Sequence, residues 1–422
     1  MKKYIRLSLN ALFIAGILLL QGCVKDTCKK AYTYTYYLPV YKTTAEIRAN
    51  IKSNAAKPIE RPGKLYIRGQ YIFMNEVDRG IHIIDNSNPS QPKNIAFVDI
   101  PGNMDIAVKG NTLYADLFTD LVAIDIANPQ QVVLKKIVEG VFPHRYYGNG
   151  FYADSTKVIA HWEARDTTII TSCDEEVWWN GWGNRGVFVA DLAAGSAAKA
   201  SSSPFGVGGS MARFAIVNER LYTVGNSELN VFNIATAHNP SFTNKKNIGW
   251  GIETIYPFQR KLFIGSTTGM FMYSISNPDY PSQIGQFNHV RSCDPVIADD
   301  EYAYVTLRSG NVCQGFANQM DVIKLNNFSN ASLVKTYPMA NPHGLSKDGG
   351  LLFICDGAEG LKVYKADDAN NIQLIGRVTG IETYDVIAGN NLALVVAKDG
   401  LYQYDYSDPK NIRLLSKLGL SK

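Results

Sequence analysis

The chain has 422 residues, of which 46% are hydrophobic and 19% are charged, and its formal net charge is +4. A hydrophobic share this high with so few charges is enough for a large core, and it excludes intrinsic disorder, collagen and a coiled coil. The length allows two or three domains, but the internal repeats described below reduce that expectation to one.

The N-terminus carries the pattern of a lipoprotein signal peptide. Three basic residues among the first six precede an apolar stretch from Ala11 to Leu20, which runs into Leu20-Gln21-Gly22-Cys23. This stretch is too short to span a hydrocarbon core of about 30 Å, so a transmembrane helix is not expected. The pattern resembles that of bacterial lipoproteins, which implies cleavage after residue 22 and lipidation of Cys23. Acyl chains on Cys23 would hold the protein on a membrane.

Cleavage after residue 22 would leave a formal charge of +1. No basic stripe remains in the rest of the chain, so we expect no nucleic-acid partner. Residues 23–61 are polar and rich in tyrosine, and they are expected to form a lipidated tether. The alternation of Thr and Tyr between Ala31 and Tyr37 leaves an edge strand open as an alternative. Residues 62–422 are then expected to form one domain.

An apolar run that ends in a polar residue recurs along residues 62–422, often followed by an Asn-Pro or Asp-Pro turn. Its eight copies are Ile81–Asp85, Leu121–Asp125, Val187–Asp191, Leu229–Asn233, Gly269–Ser274, Asp321–Lys324, Leu361–Lys365 and Leu401–Asp405. Five of the seven steps between the ends of these runs are 40 to 42 residues long, and the other two are 66 and 50. Such a period indicates a repeat architecture.

Each repeat contains four short strand-like runs separated by turn residues. In one repeat these runs are Asp105–Val108, Leu113–Ala115, Leu121–Asp125 and Val132–Val138, which we call strands A to D. Four strands in about forty residues are typical of a β-propeller, in which each repeat forms one blade. The predicted fold is therefore an all-β propeller of eight four-stranded blades. Seven blades is the alternative if the distorted third repeat is an excursion.

The repeat resembles a known family. Leu121-Val122-Ala123-Ile124-Asp125, Ile83-Ile84-Asp85 and the Asn-Pro turn after the aspartate are similar to the LVIVD repeat of bacterial surface propellers. The similarity covers roughly Lys64 to Leu420, and it implies a propeller and a location in the cell envelope. Lys324 and Lys365 replace the aspartate in two repeats, so we interpret that aspartate as a turn former and not as a catalytic residue.

Two insertions, at about Ala160 to Gly186 in the third repeat and Gly310 to Asn318 in the sixth, are predicted to follow strand B and to lie on one face of the propeller. The longer one, in the third repeat, runs through Cys173-Asp174-Glu175-Glu176-Val177-Trp178-Trp179-Asn180-Gly181-Trp182. Three tryptophans beside three acids suit a sugar ring or a protein partner. The alternative is that Trp178, Trp179 and Trp182 fold over the rim and pack against neighbouring blades.

Ionisable residues recur at the start of strand A, eight or nine positions before strand B. They are Asp105, His144, Arg213, Glu253, Asp294, His343 and Asp385, and the first repeat has Gly63 or nearby Arg61 instead. Because innermost strands line a propeller channel, these side chains are candidates for a ligand-binding ring at its mouth. The alternative is that they only provide a polar lining and pair with one another. No metal-ligand spacing or cofactor motif occurs, so we expect no cofactor or metal, although a cation held by Asp105, Asp294, Asp385 and Glu253 is left open as an alternative.

Five cysteines remain besides Cys23, which is an odd number for an oxidising compartment. Strand A of the sixth repeat starts at Cys293, and Cys313 lies shortly after strand B of the same repeat. Because antiparallel pairing brings those two places together, we predict a Cys293–Cys313 disulfide. Cys355 ends a strand B and is predicted to be a buried thiol.

These patterns favour a binding function over catalysis. No nucleophile elbow, phosphate-binding loop or metalloprotease motif is found, and no catalytic residue is assigned. We expect a lipid-anchored scaffold of the cell envelope, in the outer membrane, that binds a protein or a glycan through one loop-rich face. The alternative is a carboxylate-based glycan hydrolase or lyase, using residues such as Glu253 and Asp294. A purely structural envelope component is also open.

Overall fold

The structure, a computed structural model, describes residues 29–143, 157–172, 207–288, 295–309 and 317–420. The chain divides into two compact units, residues 1–38 with 163–187 and residues 39–162 with 188–422. The described residues of the first unit, 29–38 and 163–172, belong to the two strands β1 (Lys29–Thr43) and β11 (Lys157–Ser172), which pair as a two-stranded sheet. The Thr35 hydroxyl donates to Asp166 Oδ1 at 2.7 Å across this sheet.

A short helix follows β1 and belongs to the second unit. Helix α1 (Thr44–Asn50) begins with a capping box, in which the Thr43 hydroxyl accepts from the Glu46 amide and Glu46 accepts from the Thr43 amide. Ile47 and Ile51 are buried in a core cluster shared with the first two blades. Strand β2 (Ser53–Asn54) then joins the sheet of the first blade. These elements lie in the stretch predicted as a tether, and the predicted domain limits stay a prediction.

The second unit contains seven four-stranded antiparallel blades among the described residues, and each blade runs A to D in chain order. Blades 1 to 3 are β3 (Pro62–Arg68), β4 (Tyr71–Glu76), β5 (Gly80–Asp85), β6 (Lys93–Asp99); β7 (Ile106–Lys109), β8 (Thr112–Leu117), β9 (Asp120–Asp125), β10 (Val133–Val138); and β13 (Phe214–Val217), β14 (Arg220–Val224), β15 (Glu228–Asn233), β16 (Ser241–Asn247). Strand β12 (Val207–Gly208) pairs with β3 as a further strand of the first blade's sheet.

Blades 4 to 7 continue the same order. They are β17 (Ile252–Phe258), β18 (Lys261–Ser266), β19 (Gly269–Ser274), β20 (Ser282–Asn288); β21 (Val296–Ala298), β22 (Tyr302–Leu307), β23 (Gln319–Lys324), β24 (Ser332–Pro338); β25 (Leu345–Asp348), β26 (Leu351–Cys355), β27 (Leu361–Lys365), β28 (Gln373–Val378); and β29 (Thr383–Gly389), β30 (Leu392–Ala397), β31 (Gly400–Asp405), β32 (Arg413–Gly419). The propeller architecture with four-stranded blades is confirmed.

The preferred number of eight blades is wrong, and the alternative of seven is what the structure shows. Innermost strands of successive blades lie side by side around a ring, and β7 of blade 2 contacts β13 of blade 3 directly. The Tyr114 hydroxyl of blade 2 also donates to the Ala237 carbonyl of blade 3 at 2.7 Å. No blade fits between them, so the third repeat adds none. Its run, Val187–Asp191, lies outside the described residues.

With seven blades, the longer insertion belongs to the connection between blade 2 and blade 3, and the prediction that it is a B–C loop is wrong. The shorter insertion does join strands B and C, in blade 5. Connections from D to the next A and loops from B to C leave a meandering blade on the same face, which we call the A-start face. The A–B and C–D turns lie on the opposite face.

The repeated turn residues have a structural role, as the sequence indicated. Asp85, Asp125 and Asp405 each accept, through Oδ1, the backbone N–H two residues later, at 2.8 to 2.9 Å. Asn233 makes the same bond in blade 3. In Asp405 the Ser407 amide and the Arg413 guanidinium lower the carboxyl pKa to about 2. The side chain is therefore occupied in closing the C–D turn.

Candidate functional site

The predicted ring residues lie at the start of innermost strands, wherever the structure describes them. Asp105, His343 and Asp385 are buried, whereas Arg213 and Glu253 are partly exposed. His144 and Asp294 lie outside the described residues, and so do Trp178, Trp179, Trp182, Cys23, Cys293 and Cys313. Among the residues that the structure describes, no group of three His, Cys, Asp or Glu side chains is placed to hold a metal ion.

Asp105 of blade 2 is the centre of one charged group. The Lys64 ammonium of blade 1 donates to Asp105 Oδ2, which also accepts the Arg213 backbone N–H of blade 3. The side chains of Lys64 and Asp105 are 14% and 2% exposed. Burial raises the pKa of Asp105, and the Lys64 charge opposes that rise. Asp105 therefore joins three blades at the start of their innermost strands.

Lys64 is a ring residue that the sequence analysis missed. It occupies the place for which Gly63 or Arg61 was predicted, at the start of the innermost strand of blade 1. Burial lowers the pKa of its ammonium, and the Asp105 carboxylate opposes that shift. The opposite charges of Lys64 and of Asp105 in the next repeat are the sequence signal that could have identified Lys64 as a ring residue.

His343 of blade 6 is buried and held as a neutral ring. Its Nε2 lies 3.2 Å from Asn341 Nδ2, and its ring centroid is 5.3 Å from that of Tyr384 in blade 7. Burial lowers the pKa of His343 to about 3, and the Arg308 charge acts in the same direction. At neutral pH the ring can accept a hydrogen bond but carries no charge.

Asp385 of blade 7 is fully buried, and neither carboxyl oxygen makes a hydrogen bond of good geometry with the described residues. Burial raises its carboxyl pKa well above the ordinary value, although the Val386 amide and the Lys64 charge act against the rise. The nearby Cys355 is a free, buried thiol, as predicted, and burial raises its pKa too. This part of the ring is apolar enough to favour uncharged forms.

Three further acids near the A-start face were not singled out from the sequence, and they have structural roles. Glu76, Asp116 and Asp356 each lie at or within one residue of the end of a strand B. They accept backbone N–H groups from the connection that leads into strand A of the same blade. Asp116 Oδ1, for example, accepts from the amides of Met104 and Asp105 at 2.8 and 3.0 Å. These buried carboxylates satisfy loop amides that would otherwise lack partners.

The segment 207–213 crosses the space that the innermost strands enclose. It pairs with β3 of blade 1, and the Leu345 amide of blade 6 donates to Ser210 Oγ at 3.3 Å. The Ile255 amide of blade 4 donates to the Ala212 carbonyl at 2.8 Å. Ser210 is fully buried. The channel therefore contains a plug formed by the chain itself.

The A-start face carries an exposed tryptophan that the sequence analysis also missed. Trp250 is 76% exposed, the largest value among the described large apolar side chains. It stands between Gly249 and Gly251, both with positive φ, in the connection from blade 3 to blade 4. A Cβ on Gly251 would lie 2.3 Å from Thr267 Oγ1, so only glycine fits there.

Backbone hydrogen bonds hold both ends of the Trp250 loop. The Ile248 amide donates to the Ser227 carbonyl at 2.9 Å, and the Ile252 amide donates to the Asn226 carbonyl at 3.1 Å. Arg213 Nη2 donates to the Ile252 carbonyl at 2.9 Å, which places a guanidinium beside the loop. The exposed indole is thus presented by a backbone held at both ends, three residues before Glu253 in sequence.

Comparison with known proteins identifies the repeat. A family model described as LVIVD repeat matches residues 63–99 and 102–139, which correspond to blades 1 and 2. The chain contains LVIVD repeats. The resemblance noted from the sequence is confirmed for these residues, whereas the lipoprotein expectation stays a prediction. A search of curated proteins found no match.

Three solved structures are similar to this chain at low sequence identity. The computationally designed Ika8 protein is 9% identical, with a TM-score of 0.51, and the match covers 87% of this chain and 90% of that one. A protein from Lactobacillus plantarum is 12% identical, with a TM-score of 0.49 and coverage of 77% and 86%. A functionally unknown protein from Desulfotomaculum acetoxidans is 11% identical, with a TM-score of 0.48 and coverage of 84% and 95%. The likeness to Ika8 concerns the fold alone.

Proposed function

We propose that this LVIVD-repeat propeller is a lipid-anchored binding scaffold of the bacterial cell envelope, and that its A-start face binds a glycan. The observation that carries the proposal is the exposed Trp250 on its ordered, glycine-flanked loop. An aromatic side chain on a backbone that is already held needs less ordering on binding, and it is an efficient platform for the apolar face of a sugar ring. The Arg213 guanidinium beside the loop can supply hydrogen bonds to hydroxyl groups.

The surroundings of the ring favour binding over the hydrolase alternative. Asp105 is held by Lys64 and by the Arg213 amide, and Asp385 is enclosed in a site that favours its protonated form. Segment 207–213 occupies the channel on which a catalytic pocket would depend. A ligand that binds on the outer surface around Trp250 does not require Asp105, Asp385 or segment 207–213 to leave its present contacts.

Replacing Trp250 with alanine is expected to weaken glycan binding about tenfold or more, because interface tryptophans often contribute over 1 kcal/mol. Binding of the full chain is measured on an array of bacterial envelope glycans and then by titration of the best ligand. Tyr280→Ala is the matched control, since Tyr280 is 63% exposed but lies in a C–D turn on the opposite face. Glycan binding that survives Trp250→Ala, or its loss in both variants, contradicts the proposed site. If the wild-type chain binds no glycan but binds a protein through Trp250, the proposed glycan ligand is wrong.

The anchoring part of the proposal is tested separately. Cys23→Ala is expected to move the protein from the membrane pellet to the soluble fraction, because acyl chains contribute about 0.8 kcal/mol for each buried CH₂. Among the described residues no helix has the length and apolar character that crossing a membrane requires. Cys355→Ala, which changes a buried thiol, should leave the protein in the pellet. A Cys23→Ala protein that stays in the pellet after a high-salt wash refutes lipid anchoring at this cysteine.

A further inference from the structure

The joint between the last and the first blade differs from the other six joints. In blades 1 to 6 the third residue of strand B is a buried aromatic side chain, and in blade 7 it is a leucine. The residues are Phe73, Tyr114, Tyr222, Phe263, Tyr304, Phe353 and Leu394. These side chains face the following blade. The Tyr222 hydroxyl, for instance, donates to the Pro278 carbonyl of blade 4 at 2.8 Å.

The partner position on the following blade differs as well. The residue directly after strand C donates its backbone N–H to the A–B turn in every blade, so the seven positions are equivalent. In chain order they are Asn86, Ile126, Ile234, Ile275, Leu325, Ala366 and Tyr406. Tyr222 and Ile275 share one core cluster, and the Phe353 ring packs against that of Tyr406 in a tilted arrangement, with centroids 4.7 Å apart. Only at the joint of blades 7 and 1 does a leucine face an asparagine.

A cavity of about 570 Å³ lies at this joint, and both exceptional residues line it. It opens on the face of the A–B and C–D turns. Its apolar walls include Ile67, Pro89, Ile387 and Leu392, and the polar residues that line it besides Asn86 are Asn390, Asn391, Asp405 and Ser407. The volume is within the range of small-molecule sites, which are mostly apolar with a few convergent polar groups. The cavity is therefore on the opposite side of the propeller from Trp250.

Hydrogen bonds between blades 1 and 7 hold the Asn86 side chain in the wall of the cavity. Asn86 Nδ2 donates to Gln403 Oε1 at 3.0 Å, and Gln403 Nε2 donates to Asn86 Oδ1 at 2.6 Å. This reciprocal pair fixes the orientation of the Asn86 amide, which keeps one further donor and one acceptor position. The Ser416 hydroxyl of blade 7 donates to the Pro89 carbonyl at 2.6 Å, as Tyr222 does to Pro278.

We propose that the cavity between blades 7 and 1 is a binding site for a small neutral phenol-type ligand. Its ring takes the place that an aromatic side chain fills at the other six joints, and its hydroxyl bonds to the fixed Asn86 amide. This site is independent of the proposed glycan site, because it lies on the other face and shares no residue with it.

The probe is p-cresol, the side chain of tyrosine as a free molecule, titrated into the full chain by ligand-observed NMR. We expect saturable binding to the wild type and at least tenfold weaker binding to Leu394→Phe, which restores the residue type of the other joints. Tyr222→Leu is the reciprocal variant and should create a second p-cresol site between blades 3 and 4. Asn86→Ile should weaken p-cresol more than toluene, which has no hydroxyl. Absence of wild-type binding, or unchanged affinity in a folded Leu394→Phe protein, overturns the proposal.

Discussion

Replacing Lys64 with methionine is expected to lower the free energy of unfolding by about 3–5 kcal/mol, the range measured when one partner of a buried ion pair is removed. Methionine keeps most of the side-chain volume, so the loss reports the charge and not a cavity. Asp105, only 2% exposed, would lose the ammonium that compensates its carboxylate. Urea unfolding at pH 7 measures the change.

Two further variants separate this effect from a general role of lysine pairs. Lys417→Met removes an ion pair to Asp399 whose side chains are 39% and 53% exposed, and it should cost at most about 1 kcal/mol. The double variant Lys64→Met with Asp105→Asn should recover much of the lost stability, because no uncompensated charge is left and the amide oxygen can still accept the Arg213 backbone N–H. A Lys64→Met protein no less stable than Lys417→Met would show that this pair does not hold the ring together.

The period of the repeat was sufficient to predict the fold but not the number of blades. Strand and turn chemistry are local, so Leu121–Asp125 and Val187–Asp191 look alike in sequence. Whether a run joins a blade depends on packing between blades, such as the bond from Tyr114 to the Ala237 carbonyl. No local sequence pattern shows which blades pack against each other, and the third repeat was therefore counted as a blade.

The candidate site was predictable to a similar degree. Counting back from strand B placed Asp105, His343 and Asp385 correctly at the start of innermost strands, because a blade has a fixed strand spacing. Trp250 gave no clustered signal, and only the structure shows its exposure. The plug of residues 207–213 was not foreseen, since its contacts with blades 1, 4 and 6 are all distant in sequence.

Replacing Asp385 with asparagine is expected to stabilise the protein at neutral and alkaline pH. The folded protein holds this carboxyl in a fully buried place where burial raises its pKa well above the ordinary 3.8. A raised folded-state pKa means that the folded protein binds the proton more tightly than the unfolded chain. Its contribution to stability is therefore full below about pH 4 and is lost as the pH rises towards the folded-state pKa.

Asparagine has nearly the same shape and cannot ionise, so the variant lacks that loss. Each unit by which the pKa is raised corresponds to about 1.4 kcal/mol, and we expect at least this gain at pH 8 and almost none at pH 4. Urea unfolding of the wild type and of Asp385→Asn from pH 4 to pH 8 measures the difference in their free energies of unfolding. The turn aspartates are the same in both proteins, so their opposite pH dependence cancels in this difference. Glu301→Gln, an exposed acid in blade 5, should show no such trend. If the wild type gains stability over Asp385→Asn as the pH rises, the carboxylate is stabilised in the folded ring, contrary to what its burial and lack of partners require.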